Sequence, residues 1–132
     1  MFGAHGEFQI CSQPPTMYLK LFGSFNNEGI TSLTHGVLQE LSMQPKGAVK
    51  YVVVNLEEFE LVTVDSMDSL EKYFNSVKER GYERVDYLYA NIIAKNMFEK
   101  VWNNSDVEVN FYKDSESYLQ QHPDDEYIKT YW

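Results

Sequence analysis

The chain holds little of what most chemistries require. Cys11 is its only cysteine, which excludes an internal disulfide and a cysteine-built zinc site and fits a reducing compartment. The three histidines, His5, His35 and His122, fall far apart, and none stands at metal-ligand spacing from another ligand. Positive charge is scarce: 11 Lys and Arg against 20 Asp and Glu give a formal charge of -9. That balance repels phosphate backbones and anionic lipid headgroups, so neither a nucleic acid nor a membrane surface is an expected partner. Long hydrophobic runs are missing. The most apolar stretch, residues 51–54, is far too short to cross a bilayer. The opening MFGAHGEFQI has neither the basic n-region nor the apolar h-region of a signal peptide. A cytoplasmic protein is expected. The seven glycines are scattered and form no GxGxxG or GxxxxGK[ST] cradle, so no nucleotide cofactor is expected. No nucleophile elbow and no metal set is visible, and the reading is of a protein that is not an enzyme.

What is present is ample material for a core. Of 132 residues, 43% are hydrophobic and 15% aromatic, enough for one well-packed domain. Residues 7–12 and 16–22 alternate apolar and polar around Pro14 and Pro15, which predicts a β-hairpin. After a loop at 23–27, Asn26 or Asn27 caps a helix carrying Ile30, Leu33, Val37, Leu38 and Leu41. Residues 49–56 read as a central strand, β-branched and apolar on both faces. A loop at 57–64 follows, then a helix whose stripe is Met67, Leu70, Tyr73, Phe74 and Val77, ended by Gly81. Residues 84–90 form a strand, Ala94 to Trp102 mark a short amphipathic helix, and 106–112 form a last strand. Asp114 or Ser115 caps a final helix to about Gln121. The polar tail that follows ends in aromatics; it either frays or docks on the domain or on a second copy. The order β β α β α β α β α predicts an α/β fold. It is one domain over 1–132 with a core at about 7–122, a mixed and mostly parallel sheet of five strands, and four helices.

In open α/β sheets ligands gather beyond the carboxyl ends of parallel strands, here residues 55–66 and 90–93. The run Thr63-Val64-Asp65-Ser66-Met67-Asp68 stands out. Asp65 or Ser66 is positioned to cap a helix, and an exposed serine hydroxyl at the helix's positive end suits a phosphate. Glu57, Glu58 and Glu60 read as a solvated acidic loop. Asn55, Phe59, Tyr89, Asn91 and Trp102 are candidates for lining an apolar pocket with polar anchors at the same edge.

Several of these runs carry a resemblance. Tyr18-Leu-Lys-Leu-Phe-Gly-Ser-Phe, then a helix, then Tyr51-Val-Val-Val-Asn-Leu-Glu-Glu-Phe, then Val64-Asp-Ser and a second helix, resemble the STAS-type domain of SpoIIAA-like proteins. These are the bacterial anti-sigma-factor antagonists and their relatives. In the antagonists a serine after an aspartate accepts phosphate from a partner kinase. Asp65 and Ser66 match those positions; Met67 stands where the family has a second hydroxyl residue, and Asp68 where it has glycine. The stretch Asn55-Leu-Glu-Glu-Phe also resembles a broader SpoIIAA-like group without the phosphorylation motif. The resemblance implies a regulatory protein-interaction module with contacts at Asp65, Ser66, Met67 and Asp68, optionally switched by phosphorylation of Ser66. The alternative is a carrier or sensor of a small apolar ligand. A homodimer through an edge strand or the aromatic tail is a further expectation.

Overall fold

In the computed structural model, residues 6–78, 80–103 and 105–132 are described. His5 and the side chains of Phe74 and Val77 lie outside the described set. Strand β1 (Glu7–Gln13) and strand β2 (Thr16–Phe25) form the expected antiparallel hairpin, turned at Pro14 and Pro15. Helix α1 (Asn27–Ser42) starts where Asn26 accepts the Gly29 amide at 2.9 Å, a cap that satisfies one of its free donors. Strand β3 (Tyr51–Val62) leads through a 3-10 turn (Val64–Ser66) into helix α2 (Met67–Lys78). Strand β4 (Arg84–Leu88), helix α3 (Ile92–Val101), strand β5 (Glu108–Tyr112), helix α4 (Ser115–Gln121) and helix α5 (Glu126–Tyr131) complete the chain.

The five strands lie in sequential order, with β2 to β5 mutually parallel. This is the mixed, mostly parallel sheet that the alternation of strands and helices predicts. Successive right-handed crossovers in one direction place their helices on one face. Ile30, Leu33 and Val37 of α1, Leu70 of α2, and Ala94 and Phe98 of α3 accordingly join Met17, Leu19, Val52, Val54, Val85 and Tyr87 in one core. At the edge of that core Gly36 lets α1 approach β1: a Cβ there would lie 2.6 Å from the ring of Phe8.

Three expectations are corrected. Residues 23–27 are not all loop, because β2 runs on to Phe25, and residues 57–62 are strand rather than loop. The two extensions support each other, pairing Phe22 with Glu58, Gly23 with Phe59 and Phe25 with Val62. Phe25 and Phe59 turn into the core with their rings 6.1 Å apart. Glu57, Glu58 and Glu60 stay exposed; Glu58 meets Lys20 at 3.5 Å and Glu60 accepts the Ser24 hydroxyl at 2.9 Å. Local charge hid a segment whose strand character comes from its neighbour.

The third correction concerns the frayed alternative for the tail, since the structure shows the docked one. Residues 124–132 carry a fifth helix that covers the second face of the sheet, where Tyr18, Val53, Leu88, Tyr118 and Ile128 form a smaller cluster. Tyr127 stacks on Tyr18 at 4.1 Å, and Trp132 meets the same ring edge-on at 5.8 Å. Asp125 ties this layer together. Its Oδ1 accepts the Tyr18 hydroxyl at 2.8 Å and the Ile128 amide at 3.1 Å, and its Oδ2 accepts the Tyr118 hydroxyl at 2.8 Å.

Burial, and then the neighbouring Asp125, hold the Tyr18 and Tyr118 hydroxyls well above the ordinary tyrosine value near 10.0. On the other face burial does the same to Tyr87. The unfolded chain therefore releases these protons first as pH rises past about 10, while the folded chain still holds them. Stability is complete below that pH and falls above it, each such tyrosine adding a slope of up to about 1.4 kcal/mol per pH unit. Urea unfolding at pH 8 and pH 10.5 should show this loss, and Tyr118→Phe should make the slope shallower.

Candidate interaction site at the carboxyl edge of the sheet

Strand β3 outlasts its neighbour. Its ladder with β4 ends at Asn55 opposite Leu88, whereas its pairing with β2 continues to Val62. The register with β2 shifts between Lys20–Asn55 and Phe22–Glu58, so β3 carries one extra residue there. Asn55 lies buried beside this bulge, and its Oδ1 accepts the Glu57 amide at 2.9 Å, a donor displaced by the shift. A buried asparagine read from sequence as a ligand anchor thus serves the backbone.

Beyond the bulge the chain enters α2. Thr63 occupies the cap position of the 3-10 turn, without a side-chain cap bond. Ser66 is fully buried, at 0% exposure. Its hydroxyl lies 2.8 Å from the Thr63 carbonyl, 3.4 Å from the Phe25 carbonyl and 2.8 Å from Thr63 Oγ1. The expectation of an exposed hydroxyl at a helix start is therefore corrected. Ser66 lies at the end of the short turn, and its Oγ bonds backward to carbonyls, the local competition that serine readily makes with the backbone. Neither it nor Asp65 is the cap. Asp65, Met67 and Asp68 are exposed around it. Ser69 hydrogen-bonds Asn27, tying the start of α2 to the start of α1.

The pocket candidates separate into two groups. Phe59 and Trp102 line an apolar cavity together with Phe25, Tyr87 and Phe98, and its volume is about 50 Å³. Trp102 Nε1 donates to the Tyr87 hydroxyl at 2.8 Å; Tyr73 and Tyr82 also line the cavity, and the buried Tyr82 hydroxyl has no hydrogen-bond partner among the described residues. Cavities that accept a ligand as small as benzene measure about 150 Å³, so this space is a packing remnant. Asn55, Tyr89 and Asn91 are not among its walls. Asn91 is exposed and caps α3, its Oδ1 accepting the Ala94 amide at 2.7 Å. Tyr89 takes a left-handed backbone, φ 63°, and its amide donates a hydrogen bond to the Tyr112 carbonyl at 3.0 Å. The two turn the chain from β4 into α3. No group of three or more His, Cys, Asp or Glu among the described residues is placed to hold a metal ion.

Of the exposed apolar residues at this edge, sequence reasoning names Met67 as a contact but gives no role to Leu61, Val64, Ile92 or Ile93. Val64 is 91% exposed, Ile92 75% and Ile93 71%, and Leu61 and Met67 are exposed as well. All five lie at the end of β3 or in the first turns into α2 and α3. They were legible as apolar residues, but periodicity assigns such residues to a core by default. Among the described residues no helix is long and apolar enough to cross a membrane, so these side chains do not belong to a membrane-spanning helix.

No protein-family model matches the chain, and no curated protein matches its sequence. Solved structures do match it in shape. An uncharacterised DUF3478-family protein from Shewanella loihica PV-4, with a SpoIIAA-like fold, superposes with a TM-score of 0.63 at 14% identity, covering 92% of this chain and 96% of its own. The unphosphorylated anti-sigma factor antagonist SpoIIAA gives a TM-score of 0.60 at 13% identity, covering 89% of this chain and 99% of its own. The fold is SpoIIAA-like. The phosphorylated form of SpoIIAA, the Bacillus cell fate determinant, matches in the same way, with a TM-score of 0.59 at 13% identity over 88% of this chain and 99% of its own. Within the SpoIIAA-like fold of this chain, the segment singled out from sequence does begin the second helix, with its charged residues outward and its serine inward.

Proposed function

We propose that this protein is a regulatory interaction module that docks a protein partner on the carboxyl edge of its sheet. The observation that carries the proposal is that Leu61, Val64, Met67, Ile92 and Ile93 are all exposed in the segments that leave the carboxyl ends of β3 and β4. Exposed apolar residues scattered singly need no explanation, whereas a concentration rimmed by polar groups marks an interaction surface. The same segments are acidic: Glu57, Glu58, Glu60, Asp65 and Asp68 are all exposed. A partner face with an apolar centre and basic surroundings is complementary to it, and the overall charge of -9 steers such a partner inward. The likeness to a fold used by an anti-sigma factor antagonist supports a regulatory partner protein over a small-molecule substrate.

Contact is assigned to Val64, Asp65, Met67, Asp68, Ile92 and Ile93. Ser66 supports the loop from beneath. The proposal predicts that Val64→Glu and Ile92→Glu, both at exposed positions, leave the fold intact and weaken partner capture by at least about tenfold. Leu38→Glu, at an exposed position on α1, is the control and retains capture. Affinity purification from the source cells with all four proteins checks this. A partner retained equally by Val64→Glu and Ile92→Glu would refute the docking surface.

A further inference from the structure

Asp86 lies in β4 with 0% of its surface exposed. A buried ion pair is commonly no better for stability than well-packed apolar residues, so its presence calls for another account. Its geometry supplies one. Asp86 Oδ2 accepts Arg84 Nε at 2.8 Å, and Oδ1 accepts Asn110 Nδ2 at 3.0 Å. The Arg84 guanidinium also lies over the Tyr51 ring, 4.4 Å from its centroid. One edge and one face of the guanidinium are thereby engaged. Its Nη1 and Nη2 have no protein hydrogen-bond partner among the described residues. Burial alone would lower the affinity of this arginine for its proton, but Asp86 overrides it and holds the group charged.

Arg84 lines an open groove of about 540 Å³, within the size range of small-molecule sites. The groove lies at the amino ends of the parallel strands, against α4 and α5, and Thr16, Tyr18, Tyr118 and His122 form much of its wall. Three acids also line it. Asp125 is occupied by Tyr18, Tyr118 and the Ile128 amide, and Glu126 meets Lys129 at 3.3 Å. Asp124, exposed, is the acid left over.

This charge arrangement selects among ligands. A simple anion faces three acids for one arginine, and a simple cation faces the open guanidinium fork. A molecule carrying both charges satisfies both ends. We propose that the groove binds a small amino-carboxylate zwitterion, its carboxylate paired with the Arg84 fork and its ammonium directed to Asp124. A rigid, planar fork recognises a carboxylate in two-point fashion, which a lysine in the same place does not reproduce.

The test is titration of ¹⁵N-labelled protein with glycine, 4-aminobutyrate, L-lysine and L-phenylalanine, each compared with acetate, inorganic phosphate and ethylammonium at equal ionic strength. At least one zwitterion should produce saturable shifts of Arg84 Nε–H and of the Thr16 and His122 amides. It should bind at least about tenfold more tightly than any of the three single-charge probes. Arg84→Lys and Asp124→Asn should each weaken binding by about tenfold; Asp124 is exposed, so its variant reports on binding even if Arg84→Lys impairs folding. Absence of saturable shifts with all four zwitterions would overturn the proposal. Equal binding of acetate, or unchanged affinity in Asp124→Asn, would overturn it as well.

Discussion

Asp125→Ala is expected to destabilise the protein by about 3 kcal/mol, because it strands two buried phenols and removes a helix cap in one step. The hydroxyls of Tyr18 and Tyr118 both donate to Asp125 at 2.8 Å, and both residues are buried. The same carboxylate receives the Ile128 amide at 3.1 Å and so begins α5. The loss should therefore spread: α5 detaches, and with it Ile128, Tyr127 and Trp132, which cover Tyr18. Tyr18→Phe leaves Oδ1 with the Ile128 amide, and Tyr118→Phe leaves Oδ2 to water from the open groove that Asp125 lines; each should cost about 1 kcal/mol. Chemical denaturation of the three variants and of the Asp125→Ala/Tyr118→Phe double variant measures this. The double variant should be less destabilised than the sum of the singles, the signature of a shared network. A cost below about 1 kcal/mol for Asp125→Ala would mean that the tail contributes little to the fold.

Ser66→Asp is the second large effect. Ser66 Oγ lies among the Thr63 and Phe25 carbonyls and Thr63 Oγ1, and no cationic side chain among the described residues bonds to it. A carboxylate placed there faces acceptors in a site without solvent, and the expected cost is about 3 to 5 kcal/mol or local opening of the turn before α2. Ser66→Ala loses only the hydroxyl's own bonds, about 1 kcal/mol. Asp65→Ala and Asp68→Ala, on exposed positions, should change stability by less than about 0.5 kcal/mol. The contrast separates two views of this segment. If Ser66 were a freely reached phosphate acceptor, a negative charge there would be tolerated. Thermal melts of the four variants give the answer, and a Ser66→Asp protein as stable as the wild type would overturn the structural role assigned to this serine.

The architecture was readable because strands and helices alternate with clear periods. Tyr51 to Val54 are apolar on both faces, as a central parallel strand requires, and α1 carries its stripe at Ile30, Leu33 and Val37. Reading failed where a segment's state depends on a distant neighbour. Residues 57–62 look like an acidic loop in isolation; they become strand because β2 continues beside them and Phe59 reaches the core. The tail looks frayed until Tyr18, 109 residues before Tyr127, supplies the ring it stacks on. Ser66 was placed correctly at a helix beginning but with the wrong orientation, because turn type rather than residue type decides which side a hydroxyl faces. The pairing of Arg84 with Asp86 was hidden for a related reason. Polar residues two apart on a strand share a face, yet only the fold shows that the face is covered.

The docking edge is tested most directly by site-specific photo-crosslinking in the source cells, with a photoreactive residue placed in turn at Val64, Ile92, Leu38 and Met43. The account predicts one shared protein adduct from Val64 and Ile92 and none of that protein from the two α1-side positions. Adducts confined to Leu38 and Met43, or no protein adduct from Val64 and Ile92, would contradict it.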